Sequence, residues 1–524
     1  MAKFYDEIPE SLIEWIKKQH MFWVASAPLS PDGHVNLSPK GTADSFHVVN
    51  SRRVWYQDLT GSGVETISHI RENGRVTILF SAFEGPPRIL RLFGTGTVYE
   101  YGTEEYESLI SPETRKPGSR AAIVIDVYQC QTTCGFAVPM YDFVTHRTQL
   151  LRMADIEESR NRVSDTVSSS ETNKKGIKAY WVQKNLRSLD GLPGLLVAPD
   201  SKVTPVNNFN KDSQRPKLRY SSSREGSSQS SGASVAIGFA LGALVATAIP
   251  YILSVTRKFD IQIIPMAKYY DEIPESLIEW VRKQHMFWVA SAPLGPGGHV
   301  NLSPKGTADC FHVVNSHRVW YEDLTGSGVE TISHIRENGR ITILFHSFEG
   351  PPRILRLYGT GTVYEYGTQE YESLIPPETR KPGSRAAIVI DVYQCLTSCG
   401  TAVPIYDFVT HRTQLLRSFD IKESHDRATV STEINPKGLR AYWMRQNLSS
   451  VDGLAGLLIA PESKATCSSV FDKGPRPKLH RLSSRDAGVL GTGTTLALGC
   501  AIGALIATAL PRILSVTGNF GTRT

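Results

Sequence analysis

Apolar residues at Leu12, Ile13, Trp15 and Ile16 recur at helical spacing over residues 10–19 and predict a short amphipathic helix. The period then changes. Residues 21–27, 34–40, 46–49, 53–56, 75–80, 89–101 and 121–128 are short runs rich in Val, Ile, Thr and aromatic residues, and they predict β-strands. Only short helices interrupt them, at 64–71 and around 103–109, and a last helical stretch over 178–189 closes the pattern near Pro199. Many short strands at close spacing, punctuated by Gly and Pro turns, predict a small antiparallel barrel in a mainly β fold with short helices.

The whole pattern occurs twice. Met1-Ala-Lys-Phe-Tyr-Asp-Glu-Ile-Pro9 returns as Met266-Ala-Lys-Tyr-Tyr-Asp-Glu-Ile-Pro274, and the first sixty aligned positions differ only at Phe4/Tyr269, Ile16/Val281, Lys17/Arg282, Ser30/Gly295, Asp32/Gly297, Ser45/Cys310, Arg52/His317 and Gln57/Glu322. A repeat this long exceeds the roughly 20 to 50 residues of a solenoid or propeller unit, so each copy must hold its own core.

Beyond Pro199 the chain turns polar, with Tyr220-Ser-Ser-Ser-Arg-Glu-Gly-Ser-Ser-Gln-Ser-Ser231 unable to bury a core. A charge-free apolar run follows at 233–255 and returns at 494–516, where Arg512 interrupts it. Both runs are long enough to cross a bilayer, and both carry a small-residue packing pattern, Gly238-x-x-x-Gly242 and Gly499-x-x-x-Gly503. The expected organisation is a domain at 1–199, a linker at 200–231, a transmembrane helix at 232–256, a connector at 257–265, a second domain at 266–461, a linker at 462–489 and a second transmembrane helix at 490–516. Basic residues precede each apolar run (Lys217, Arg219, Arg224; Lys478, Arg481, Arg485), so both runs ask for a cytosolic upstream side, which two spanning segments cannot both have. Either the first run enters and leaves on one face, or two adjacent genes have been read as one chain. The expected localisation is at a membrane, with the first domain facing the cytosol.

Composition changes this picture little. A net charge of +6 over 524 residues is too diffuse to argue for nucleic acid. Seven cysteines and an amino terminus without an apolar signal core suit a reducing compartment. The spacing Cys130-x-x-x-Cys134, repeated as Cys395-x-x-x-Cys399, lacks the further ligands a metal would need, and the four read as packed cysteines.

Candidate chemistry gathers in Asp58-Leu-Thr-Gly-Ser-Gly-Val-Glu-Thr66, where two glycines and several hydroxyls lie between a strand and a helix. Exposed N–H groups at such a junction form an anion seat suited to phosphate, although Ser62-x-x-Glu65 is equally a capping box that needs no ligand. Lys40 ends a β-run, and Arg88 and Arg91 flank another between apolar neighbours. His20, His34, His47 and His69 have no partner visible in the sequence, so no acid or base is assigned and the catalytic residues stay unknown.

The ordered set Met21-Phe-Trp-Val-Ala-Ser-Ala, His34-Val-Asn-Leu-Ser-Pro-Lys-Gly, Asp58-Leu-Thr-Gly-Ser-Gly-Val-Glu-Thr, Phe83-Glu-Gly-Pro-Pro-Arg-Ile-Leu-Arg-Leu and Val138-Pro-Met-Tyr-Asp-Phe-Val resembles the pyridoxamine 5'-phosphate oxidase-like family of flavin-binding split barrels. The resemblance spans nearly all of residues 1–195 and again 266–458. It implies a six-stranded split β-barrel that works as a homodimer, with FMN held between protomers. On that basis Lys40, Thr60, Ser62 and Arg91 match positions lining FMN, with Lys305, Thr325, Ser327 and Arg356 as their counterparts. The match to the vitamin-pathway oxidase itself is poorer. That enzyme has an Arg where this chain has Val35, Ser-Arg-Lys-Gly where it has Ser62-Gly-Val-Glu65, and Arg-Gln-Val-Arg where it has Arg88-Ile-Leu-Arg91; its carboxy-terminal substrate-holding Arg and His find no counterpart.

Two copies in one chain could pair with each other, as an intramolecular pseudo-dimer in place of a homodimer. The function expected is an FMN-dependent oxidoreductase acting on a small molecule with a reduced nicotinamide donor. The alternative is a flavin-binding or degenerate split-barrel module without turnover.

Overall fold

The structure, a computed structural model, describes residues 2–165, 176–203, 205, 267–429 and 433–463. The β-rich runs of the first copy become β1 (Lys3–Tyr5), β2 (Phe22–Ser26), β3 (Asn36–Lys40), β4 (Phe46–Asn50), β5 (Arg53–Leu59), β6 (Arg75–Ser81), β7 (Ile89–Glu100), β8 (Ser119–Thr133) and β9 (Met140–Thr145). The second copy repeats them as β10 (Lys268–Tyr270), β11 (Phe287–Ser291), β12 (Asn301–Lys305), β13 (Phe311–Asn315), β14 (Arg318–Leu324), β15 (Arg340–His346), β16 (Ile354–Glu365), β17 (Ser384–Ser398) and β18 (Ile405–Thr410). Each copy folds an antiparallel sheet in the order β3-β2-β6-β7-β8-β5-β4, with β1 also on β8, and β10–β17 follow the same plan. The mainly β class with short helices is observed. Each sheet has eight strands, two more than the six implied by the resemblance, and β1 and β9 were too short or too mixed to show a period.

The inner face of the first sheet carries Val24, Val54, Tyr56, Ile78, Leu90, Leu92, Ile123 and Ile125. Helix α1 (Glu10–Ile16) closes it with Leu12, Ile13 and Ile16, α2 (Glu65–Asn73) with Ile67 and Ile70, and the helix Ile177–Lys184 with Trp181. The bend in β7 depends on Gly94, where the register shifts: a Cβ there would stand 2.3 Å from Ile125 Cγ2.

In β2 and β6 every residue is buried, not every second one. The outer face of these strands meets the other copy: Met21, Trp23, Ala25, Leu37 and Leu79 share a core with Met286, Trp288, Ala290, Leu302 and Leu344. A strand covered on both faces reads as a continuous apolar run, which is why Met21-Phe-Trp-Val-Ala shows no alternation. Polar bonds frame this shared core. Arg75 Nη1 donates to the carbonyls of Pro293 and Gly295 at 3.0 and 2.9 Å, and Arg340 Nη1 answers to Pro28 and Ser30 at 3.1 and 2.6 Å. Thr77 donates to Val300 O and Thr342 to Val35 O, both at 2.7 Å, and β9 pairs antiparallel with β18. The two copies therefore pack within one compact unit, Met1–Phe471; the second unit, Asp472–Thr524, lies outside the described residues.

Several expectations need correction. The expected membrane localisation is withdrawn: among the described residues no helix is long and apolar enough to cross a membrane. The longest, Gln149–Asp165, has 17 residues and is strongly charged, whereas a span takes about 20 apolar residues. Residues 206–266 and 464–524, which include both apolar runs, the connector and most of the two linkers, lie outside the described residues. The capping box does not form. Helix α2 starts at Glu65 behind the N-cap Val64, which has no capping side chain, leaving Ser62 two residues ahead of the cap. Of the spaced cysteines, Cys130 is buried and donates to Glu7 O, but Cys134 is exposed and not packed.

Candidate functional site

The sequence-predicted site residues do not gather within one copy. Lys40, Thr60 and Ser62 line a cleft whose far wall is Arg356 from the second copy, while Lys305, Thr325 and Ser327 line an equivalent cleft completed by Arg91 from the first. The crossing follows from the fold: β7 runs along the shared core, and its outward side chains reach the edge strand of the other sheet. Arg91 Nε donates to Leu302 O at 2.8 Å and its Nη2 to Ser303 Oγ at 3.2 Å; Arg356 makes the same pair with Leu37 O and Ser38 Oγ.

Lys40 is anchored from behind. Its Nζ donates to Asp58 Oδ1 at 2.6 Å, and Arg120 Nε donates to Oδ2 of the same carboxylate at 2.9 Å. Asp58 is fully buried. Burial alone would raise its carboxyl, but Lys40 and Arg120 hold it below its ordinary value. Two cations on one carboxylate leave a net positive charge at the cleft wall. Asp323 repeats the arrangement with Lys305 and Arg385.

Thr60 has a different role from Ser62. Its hydroxyl donates to Gly118 O and accepts from Trp181 Nε1, both at 2.7 Å, so it pins the loop and has no proton left to offer a ligand. Thr325 is held likewise by Gly383 O and Trp443. Ser62 is partly exposed at the turn of the loop, and among the described residues no group accepts from the N–H of Gly61, Ser62 or Gly63. A Cβ placed on Gly61 would meet nothing within 4 Å, so the loop presents open backbone. Free N–H groups ahead of a helix, with Lys40 and Arg120 beside them, suit an anion of phosphate type. Arg120 Nη1 supports the same fit: it is buried and without a hydrogen-bond partner. The Glu65 carboxylate bends back over Gly63, where a Cβ would stand 2.2 Å from Oε2.

Tertiary structure also supplies partners that sequence reasoning missed. His34 Nδ1 lies 2.5 Å from Asp190 Oδ1 and its backbone N–H donates to Oδ2 at 3.0 Å, while His69 Nε2 stands 3.7 Å from the same oxygen. Burial would raise Asp190, but the bonds from His34 and His69 hold it well below the usual carboxylate range. His299 and Asp452 repeat the pair, and His299 lines the second cleft with its Nε2 buried and unpartnered. No local signal could pair residues 156 positions apart. His20 stacks on Phe143 and His47 on Trp55.

Residues 8–134 match the sequence profile of pyridoxamine 5'-phosphate oxidase. The chain is 39% identical over 210 residues to the pyridoxamine 5'-phosphate oxidase family protein ustO of Aspergillus flavus, an alignment covering 37% of this chain and 78% of that protein. The chain belongs to the pyridoxamine 5'-phosphate oxidase family. Among solved structures, the family chain resembles Group A Streptococcus HupZ (24% identity, 23% of this chain and 89% of that one, TM-score 0.19). It also resembles the FAD binding protein from Mycobacterium smegmatis (13% identity, 24% and 96%, TM-score 0.18).

Proposed function

We propose that the chain binds FMN in both clefts and acts as an FMN-dependent oxidoreductase on a small molecule, with a reduced nicotinamide as donor. The observation that carries this reading is the exchange of Arg91 and Arg356, by which each cleft is completed by a cation from the other copy. Family membership supports a flavin as the ligand.

In this reading Lys40 and Arg120 balance the phosphate charge, and the Gly61 to Gly63 N–H groups with the Ser62 hydroxyl cradle its oxygens. Thr60 keeps the loop in place, and Arg356 borders the ring. Lys305, Arg385, Ser327, Thr325 and Arg91 do the same in the second cleft. When bound, FMN supplies reversible hydride acceptance. Oxidation of pyridoxamine phosphate itself is not part of the proposal, because Val35, the Ser62-Gly-Val-Glu65 loop and Ile89-Leu90 depart from the pattern of that enzyme.

The test is the visible spectrum of the full chain after FMN is added and excess removed. A bound flavin is expected, and the double variant Lys40→Ala, Lys305→Ala is expected to lose it. A colourless wild-type protein refutes the cofactor, and a double variant that stays yellow refutes the site. Bleaching by a reduced nicotinamide separates an oxidoreductase from a flavin-binding module without turnover.

A further inference from the structure

The two clefts are built from nearly the same residues, yet they differ where a ligand's charge would be felt. Gln57 in the first cleft corresponds to Glu322 in the second. Around the first stand the cations Lys40, Arg120 and Arg356 and the carboxylates Asp58 and Glu65. Around the second stand Lys305, Arg385 and Arg91 with three carboxylates, Asp323, Glu330 and Glu322. Glu322 lies 3.3 Å from Lys381, but the equivalent lysine is present in the first copy as Lys116, so the difference remains one negative charge.

A second observation points the same way. Arg385 Nη1 is occupied, donating to Gly328 O at 2.9 Å, whereas Arg120 Nη1 is buried in the first cleft with no partner. A buried guanidinium N–H without an acceptor is costly, and an anion seated in the cleft would satisfy it. The first cleft therefore offers both more positive charge and an unused charged donor.

We infer that the clefts are inequivalent, and that the one formed on the first copy's loop is the tighter seat for a phosphate-bearing flavin. This rests on the reading of both clefts as flavin sites. A unit charge on the order of 10 Å from an anion, at an effective dielectric near 20, changes affinity by about ten-fold. Titration of the flavin-stripped full chain with FMN, followed by flavin fluorescence, is therefore expected to give two phases about ten-fold apart. Lys40→Ala removes the tight phase and Lys305→Ala the weak one. Glu322→Gln, which leaves both anchoring lysines in place, draws the weak phase towards the tight one. Two identical sites, or loss of the tight phase with Lys305→Ala, overturns the inequivalence while leaving the flavin reading intact. A chain that takes up no FMN at all overturns the flavin reading, and this inference with it.

Discussion

Ser81 and His346 occupy equivalent ends of β6 and β15, and the two places are filled differently. His346 stacks on Trp288 at 4.2 Å between ring centres and accepts from Trp23 Nε1 at 3.3 Å. Ser81 Oγ, across the shared core, has no partner, and neither has Trp288 Nε1. The inner cores are close but not identical, changing at Ile16/Val281, Val76/Ile341 and Ala154/Phe419. Their fixed points are kept, with Trp181 and Trp443 both fully buried and Asp58 and Asp323 between the same cations. Several differences thus fall where the copies meet or where the clefts open, at Ser81/His346, Gln57/Glu322 and Phe93/Tyr358. A surface shared by two different copies no longer has to complement itself, so each side can change alone.

The sharpest way to break this comparison is to remove the stacked indoles. Trp23 and Trp288 are both fully buried, with ring centres 4.9 Å apart. Either change to Ala is expected to cost about 3 to 5 kcal/mol in chemical denaturation. Trp23→Ala should cost about 1 kcal/mol more than Trp288→Ala, because it also strands His346. Equal losses would mean that the asymmetric bond contributes nothing.

Next come the buried carboxylates, where the copies should agree. Asp58→Asn and Asp323→Asn each leave two cations without their counter-charge, at a cost of about 3 kcal/mol. A large difference between the two, measured by urea unfolding, would contradict the equivalence of the two carboxylate sites.

His346 provides a pH signature that Ser81 cannot. Burial pushes its imidazole down to about 3, so the folded state keeps it neutral while the unfolded chain takes up a proton near its ordinary value. The unfolded state binds the extra proton, so stability falls as pH drops below about 6.5. The wild-type protein should lose about 1.4 kcal/mol per pH unit more than His346→Ser between roughly pH 6 and 4. Parallel pH curves would show that the ring is not held neutral.

The smallest effect is expected at Asp190 and Asp452, both depressed by their histidine partners against the opposing pull of burial. Their stabilisation is present in full above the ordinary carboxyl value and is lost progressively as pH falls from there towards the depressed folded-state value. Asp190→Asn should therefore cost about 1 to 2 kcal/mol at neutral pH and converge with wild type in acid. Asp452→Asn should behave alike, and a difference between the two would extend the asymmetry to the histidine pairs.

Much of this was legible along the chain. Seven of the nine strands in each copy, the short helices and the duplication all announce themselves as local periods or direct repetition. The glycine-hydroxyl loop was visible as a candidate anion seat because the residue types that allow close backbone approach stand side by side. The helix Gln149–Asp165 was missed because its apolar positions are sparse among charges, and β9 because its partner is β18 in the other copy.

By itself the sequence determined that two like β domains exist, which residues could form strands, and which cations and hydroxyls were available. Only the tertiary structure decided that Arg91 serves the second copy's cleft, that Thr60 is spent on Trp181, that Asp190 finds His34 and that Trp23 meets His346. The physical reason is range. A period along the chain reports how a residue relates to its own strand or helix, whereas these contacts join residues from 121 to 323 positions apart and depend on how one sheet docks on another.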